Sequence, residues 1–69
     1  MLLRHFLETG NKVGVIMLYE GDDFSSENII LERVTWRYLL SKLEEYELTN
    51  AEVLRWEYMN GWLYIGIVK

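Results

Sequence analysis

His5, the serines Ser25, Ser26 and Ser41, and the acidic side chains from Glu20 to Glu32 and from Glu44 to Glu52 are the residues whose types could do chemistry. His5 is the one imidazole and lies in an apolar N-terminal segment, where a lone histidine is more often structural or superficial than a base or ligand. None of the serines sits in a recognisable nucleophile arrangement. The five glycines (Gly10, Gly14, Gly21, Gly61, Gly66) are scattered and form no phosphate-cradling loop. Glu20, Asp22, Asp23 and Glu27 crowd oxygen ligands into one stretch, but their spacing is not that of a calcium-binding loop, and a solvated acidic turn is the simpler reading. These residues predict no enzyme, no metal and no cofactor.

What remains is charge. Five of the eleven acids (Glu20, Asp22, Asp23, Glu27, Glu32) and four more (Glu44, Glu45, Glu47, Glu52) lie in two stretches that contain no basic residue. The seven bases (Arg4, Lys12, Arg33, Arg37, Lys42, Arg55, Lys69) are dispersed, without the basic stripe that holds phosphates, so direct nucleic-acid binding is not expected. Two readings of the acids stay open. They keep a small domain soluble, or Glu20, Asp22, Asp23, Glu27, Glu44, Glu45 and Glu47 form a negative surface that steers a basic protein partner.

The elements that position these residues are legible from pattern. Ala51–Tyr58 and Trp62–Val68 flank Asn60-Gly61, the strongest short hairpin signal. A two-residue loop pairs Met59 with Trp62 and predicts one face of Tyr58/Leu63, Trp56/Ile65 and Leu54/Ile67, closed by Glu52/Lys69, as the core face. The other face carries Met59/Trp62, Glu57/Tyr64, Arg55/Gly66 and Val53/Val68. Met59, Trp62 and Tyr64 there have the composition of an interface, unless the N-terminal segment covers them.

Trp36, Leu39, Leu40, Leu43 and Tyr46 repeat at helical spacing and predict a helix of about three turns near residues 36–47, capped by Thr35 and ended by Thr49-Asn50. Lys12–Tyr19, apolar on both faces, and Asn28–Val34 read as strands joined by the polar connection Glu20–Glu27. Residues 1–8 admit a hairpin turned at Gly10-Asn11 or a helix stopped by Gly10; the hairpin is the reading adopted. The expected fold is α+β in the order β-β-β-α-β-β, with one amphipathic helix on a mainly antiparallel sheet.

Sixty-nine residues set the scale at a single domain, 1–69, with a hydrophobic fraction of 51% that excludes disorder. So short a chain, without cysteine, needs large aromatics or a partner subunit to stabilise it. No apolar run approaches the roughly 20 residues that span a bilayer, and no signal-peptide core is present, so a soluble cytoplasmic protein with no membrane partner is expected.

The order of acidic loop, strand, aromatic-bearing helix, Thr49-Asn50 turn and the alternating strand Ala51–Tyr58 resembles the very short acidic phage proteins that inhibit uracil-DNA glycosylase. The likeness covers residues 12–58. It implies a small dimer that mimics DNA, with acidic side chains in place of phosphates and an apolar pocket for the enzyme's protruding side chain. Glu44, Glu45 and Tyr46 are only the nearest counterparts to residues of that family, and the strand Trp62–Val68 departs from its shorter pattern. The expected function is therefore a non-catalytic, phage-type inhibitor that occludes the basic surface of a nucleic-acid-acting protein. The alternative is a structural or regulatory homo-oligomer, with the aromatic face as its own subunit interface.

Overall fold

The computed structural model describes residues 1–9 and 14–69. Its elements are α1 (Leu3–Glu8), β1 (Val15–Glu20), β2 (Ile29–Val34), α2 (Trp36–Ser41), β3 (Glu52–Met59) and β4 (Trp62–Val68), with one 3-10 turn at Ser26–Asn28. The strands form one sheet in the order β2-β1-β4-β3. Its outer pairs are antiparallel and the central β1–β4 pair is parallel. The fold is α+β, as expected, on a sheet that is mixed yet mainly antiparallel.

The chain opens with a helix in place of the expected strand, so the order is α-β-β-α-β-β. Leu3, Phe6 and Leu7, spaced three and four apart, are buried together, a contact only a helical face can make. Extended pairing does occur just before it. Leu2 bridges Glu52, and the Val53 N–H donates to the Met1 carbonyl at 2.8 Å. The Gly10-Asn11 turn, with Lys12 and Val13 of the expected strand, lies outside the described residues.

Thr35 caps α2 as its type predicts, its hydroxyl accepting from the Tyr38 N–H at 3.1 Å. The regular helix is half as long as expected because Lys42 leaves helical geometry (φ −111°, ψ 8°), its N–H reaching back to the carbonyl of Leu39. The chain then continues in turns to a left-handed Glu47 (φ 58°). There the Glu47 N–H bonds the Glu44 carbonyl at 3.1 Å and the Leu48 N–H bonds Leu43 at 2.7 Å. This is the paired closure of a Schellman motif, with Leu43 and Leu48 as its buried apolar contact. It stops the chain two residues before Thr49-Asn50.

Both helices pack on one side of the sheet. Leu3, Leu7, Leu39, Leu43 and Leu48 meet Ile16, Leu18, Leu63, Ile65 and Ile67 in a single core. Asn60 and Gly61 take the left-handed angles (φ 52° and 82°) that a type I′ hairpin turn requires. From Met59↔Trp62 to Arg55↔Gly66 the register is the expected one. Beyond it an extra residue bulges β3, so Val53 faces Ile67 and Glu52 faces Val68, replacing the expected Leu54/Ile67 and Glu52/Lys69 pairs.

The expected core face is half right. Leu63, Ile65 and Ile67 are buried, whereas Leu54, Trp56 and Tyr58 stay 52%, 53% and 46% exposed. β3 is the sheet edge, and α1 meets it where Phe6 packs on Trp56, ring centroids 5.7 Å apart.

Candidate partner-binding surface

β1 and β4 end, and β2 and β3 begin, at the same end of the sheet. Glu20 pairs with Ile67 and Glu52 with Val68, and the Gly21 N–H donates to the Ile67 carbonyl at 2.7 Å. Glu20 and the start of β3 thus flank β4, about 10 Å apart across two strand spacings. The β1–β2 connection carries Asp22, Asp23 and Glu27 to this end, and the α2–β3 connection runs to it with Glu44, Glu45 and Glu47. Two acid runs separated in sequence thus sit on connections that lead to the same end of the sheet.

All eight of these acids (Glu20, Asp22, Asp23, Glu27, Glu44, Glu45, Glu47, Glu52) are exposed. Among the described residues only two ion pairs form, Lys42–Glu45 and Arg55–Glu57, each at 3.2 Å. Seven of the eight acids therefore lack a basic partner there. The hydrogen bond to Glu45, more than any other influence, holds the Lys42 ammonium above its ordinary value, so that cation stays charged beside it. No group of three or more histidine, cysteine or carboxylate side chains is arranged to hold a metal among the described residues.

The aromatic part of the expected site is arranged differently from the expectation. Trp62 and Tyr64 are half-buried, and only Met59, at 48% exposure, is open. α1 lies on the opposite face, while Tyr64 is covered by the β1–β2 connection. Phe24 folds over this face, 5.2 Å from Tyr19 and 5.7 Å from Tyr64 between ring centroids, and the Arg55 guanidinium lies 4.7 Å over the Phe24 ring. Arg55 also donates to the Asp22 carbonyl at 3.0 Å and to Glu57, which ties the acidic loop to the hairpin. Gly66 permits this closure, because a Cβ there would fall on the Gly21 carbonyl. Burial, then the Tyr64 phenol and the Glu32 carboxylate, raise the Tyr19 hydroxyl above the ordinary tyrosine range.

The acids of the expected site lie at Glu20 and on two connections that lead to one end of the sheet, while Met59, Trp62 and Tyr64 do not form an open patch. The exposed apolar group is instead Leu54, Trp56 and Tyr58, which pattern alone assigned to the core. One signal distinguishes the two hairpin strands. Trp62–Val68 contains no charge and reads as a central strand, whereas Glu52, Arg55 and Glu57 interrupt β3 and mark it as an edge. No family model, curated protein or solved structure matches the chain. Geometry defines its class, a small α+β domain. No helix among the described residues is long and apolar enough to cross a membrane.

Proposed function

We propose that the chain is a non-catalytic, cytoplasmic protein-binding module whose acidic end docks on the basic surface of a nucleic-acid-acting protein and blocks it. The carrying observation is a set of eight exposed acids, seven without a basic partner among the described residues, at Glu20, at Glu52 and on the two connections that lead to the same end of the sheet. Several unpaired like charges on a small domain raise its negative potential, which speeds encounter with a basic groove and penalises neutral or acidic partners. In this reading the exposed carboxylates take the part of a nucleic acid's phosphates, which is the DNA-mimic role that the likeness to glycosylase inhibitors implies.

Affinity capture with the full chain, followed by competition with duplex DNA, tests the reading. The expected captured protein is basic and is displaced by DNA. Charge reversal at Asp22, Asp23, Glu44 and Glu45 should weaken its binding at least tenfold and flatten the salt dependence. Equal binding by the reversed variant would sink the proposal.

A further inference from the structure

We propose that the outer edge of β2 seats an extended segment of another protein, one in which apolar and basic side chains alternate, as a fifth strand of the sheet. This goes beyond the acidic-end reading and does not depend on it. β2 is the edge opposite β3, and every one of its residues, with Ser26, Thr35 and Tyr38, lines a groove of about 870 Å³, a volume typical of ligand clefts. Its outer side is free. Among the described residues β1 alone pairs with Ile29–Val34, whereas Met1–Leu3 already bond to the chain at residues 51–53, where β3 begins. Ile29, Ile30, Leu31 and Val34 are only half-buried there, which leaves apolar surface for an occupant to cover.

Pairing with β1 sorts the side chains of β2 between two faces. Leu31 and Val34 pair with Leu18 and Ile16, which are buried in the core with the helices, and Ile30 packs on the same core. Ile29 pairs with Tyr19 on the opposite face, where Phe24 lies, and the Glu32 carboxylate is near enough to Tyr19 to help raise its hydroxyl. A strand added outside β2 therefore meets Ile30, Leu31 and Val34 on one face and Ile29 and Glu32 on the other. Glu32 is exposed and has no ion-pair partner among the described residues. Apolar side chains on the helix face and a lysine or arginine opposite Glu32 complement both, and the net charge of -4 favours the encounter.

The shape of the edge selects what can bind. Both register shifts against β1 put an extra residue on β2, one between Ile29 and Leu31 and one between Leu31 and Val34, where Arg33 takes a left-handed φ of 56°. Left-handed geometry is costly for a residue with a Cβ, so this bend is a built feature of the edge. Bulges bend a strand, and a straight strand already held in another sheet cannot follow the curve of β2. That disfavours a second copy. A short free segment can follow it, bonding the outward backbone groups of β2 where they allow and taking its specificity from the alternate side chains.

Fluorescence anisotropy of the full chain with a labelled hexapeptide of alternating valine and lysine tests the seat. That peptide should bind about fivefold or more tighter than one of the same composition in which the valines precede the lysines, because charge is equal and only alternation matches the two faces. Glu32→Lys should weaken its binding about tenfold and favour the alternating valine and glutamate peptide instead. Arg33→Gly keeps the left-handed bend and removes a base from the groove, so it should bind the lysine peptide as tightly as the parent or more so. Bound peptide should slow amide exchange within Ile29–Val34 and leave β3 unchanged. Circular dichroism checks that the variants fold, while the peptide-order and exchange comparisons use the parent chain and stand without them. Equal binding of the two peptide orders would leave charge attraction alone and overturn the proposal. So would unchanged exchange at Ile29–Val34, or protection there that grows with chain concentration in the absence of peptide, which would give the edge to a second copy.

Discussion

β3 and β4 are the two arms of one hairpin, and they have opposite fates. Trp56 and Ile65 face each other across it, yet Ile65 is fully buried while Trp56 is 53% exposed. β4 lies between β1 and β3, with helices on one face and Phe24 on the other, whereas β3 has a strand on one side only. Pairing thus fixes which face a side chain shares, while position in the sheet decides whether that face is covered.

The largest expected effect comes from testing that cross-strand pair. Ile65→Ala removes a fully buried branched side chain and should cost about 2–5 kcal/mol in urea unfolding. Trp56→Ala removes a larger side chain but should cost only about 1–2 kcal/mol in dilute solution, chiefly the contact with Phe6. Equal losses would break the comparison, because they would mean that β3 is covered as well as β4.

The hairpin was legible because Asn60-Gly61 fixes both its turn and the register as far as Arg55, and α2 was legible through Thr35 and the spacing of Leu39 and Leu43. Exposure on β3 was not read from the alternation, which assigns a face but not its cover; the local mark of an edge was the charge of Glu52, Arg55 and Glu57 against the charge-free Trp62–Val68. The N-terminal helix was missed for a related reason. Leu3, Phe6 and Leu7 suit either periodicity until a partner face is known. Of the candidate site, the acids were legible in composition, but which end of the sheet their connections lead to depends on topology. Tyr64 looked free because nothing local says that Phe24, forty residues upstream, folds onto it.

A second test compares Gly66 on β4 with Arg55 opposite it on β3. Gly66→Ala drives a methyl group into the Gly21 carbonyl, and since Gly21 itself sits at φ 90°, the loop has little freedom to yield. The expected cost is about 1–3 kcal/mol, with Phe24 lifted from Tyr64 and a change in aromatic near-ultraviolet dichroism. Arg55→Ala removes the opposite anchor, but its hydrogen bonds and its contact with Phe24 lie at the surface, so about 1 kcal/mol or less is expected. If Arg55 costs more than Gly66, the loop is held from the edge strand and not by its seat on β4.

The smallest expected effect concerns Tyr19, which the same loop covers through Phe24. Burial, Tyr64 and Glu32 raise its hydroxyl above the ordinary value of 10.0, so the fold favours the neutral phenol and the unfolded chain ionises first. Stability from this group is intact below pH 10.0 and is lost as the pH rises through the folded value. Tyr19→Phe should leave neutral-pH stability nearly unchanged and flatten the alkaline decline in melting temperature. Gly66→Ala, which lifts the loop while keeping the hydroxyl, should flatten it in the same direction but by less, since Tyr64 and Glu32 remain. A decline of equal slope in all three chains would show that the loop's cover does not reach Tyr19, and the contrast between a covered β4 and an open β3 would then rest on the helices alone.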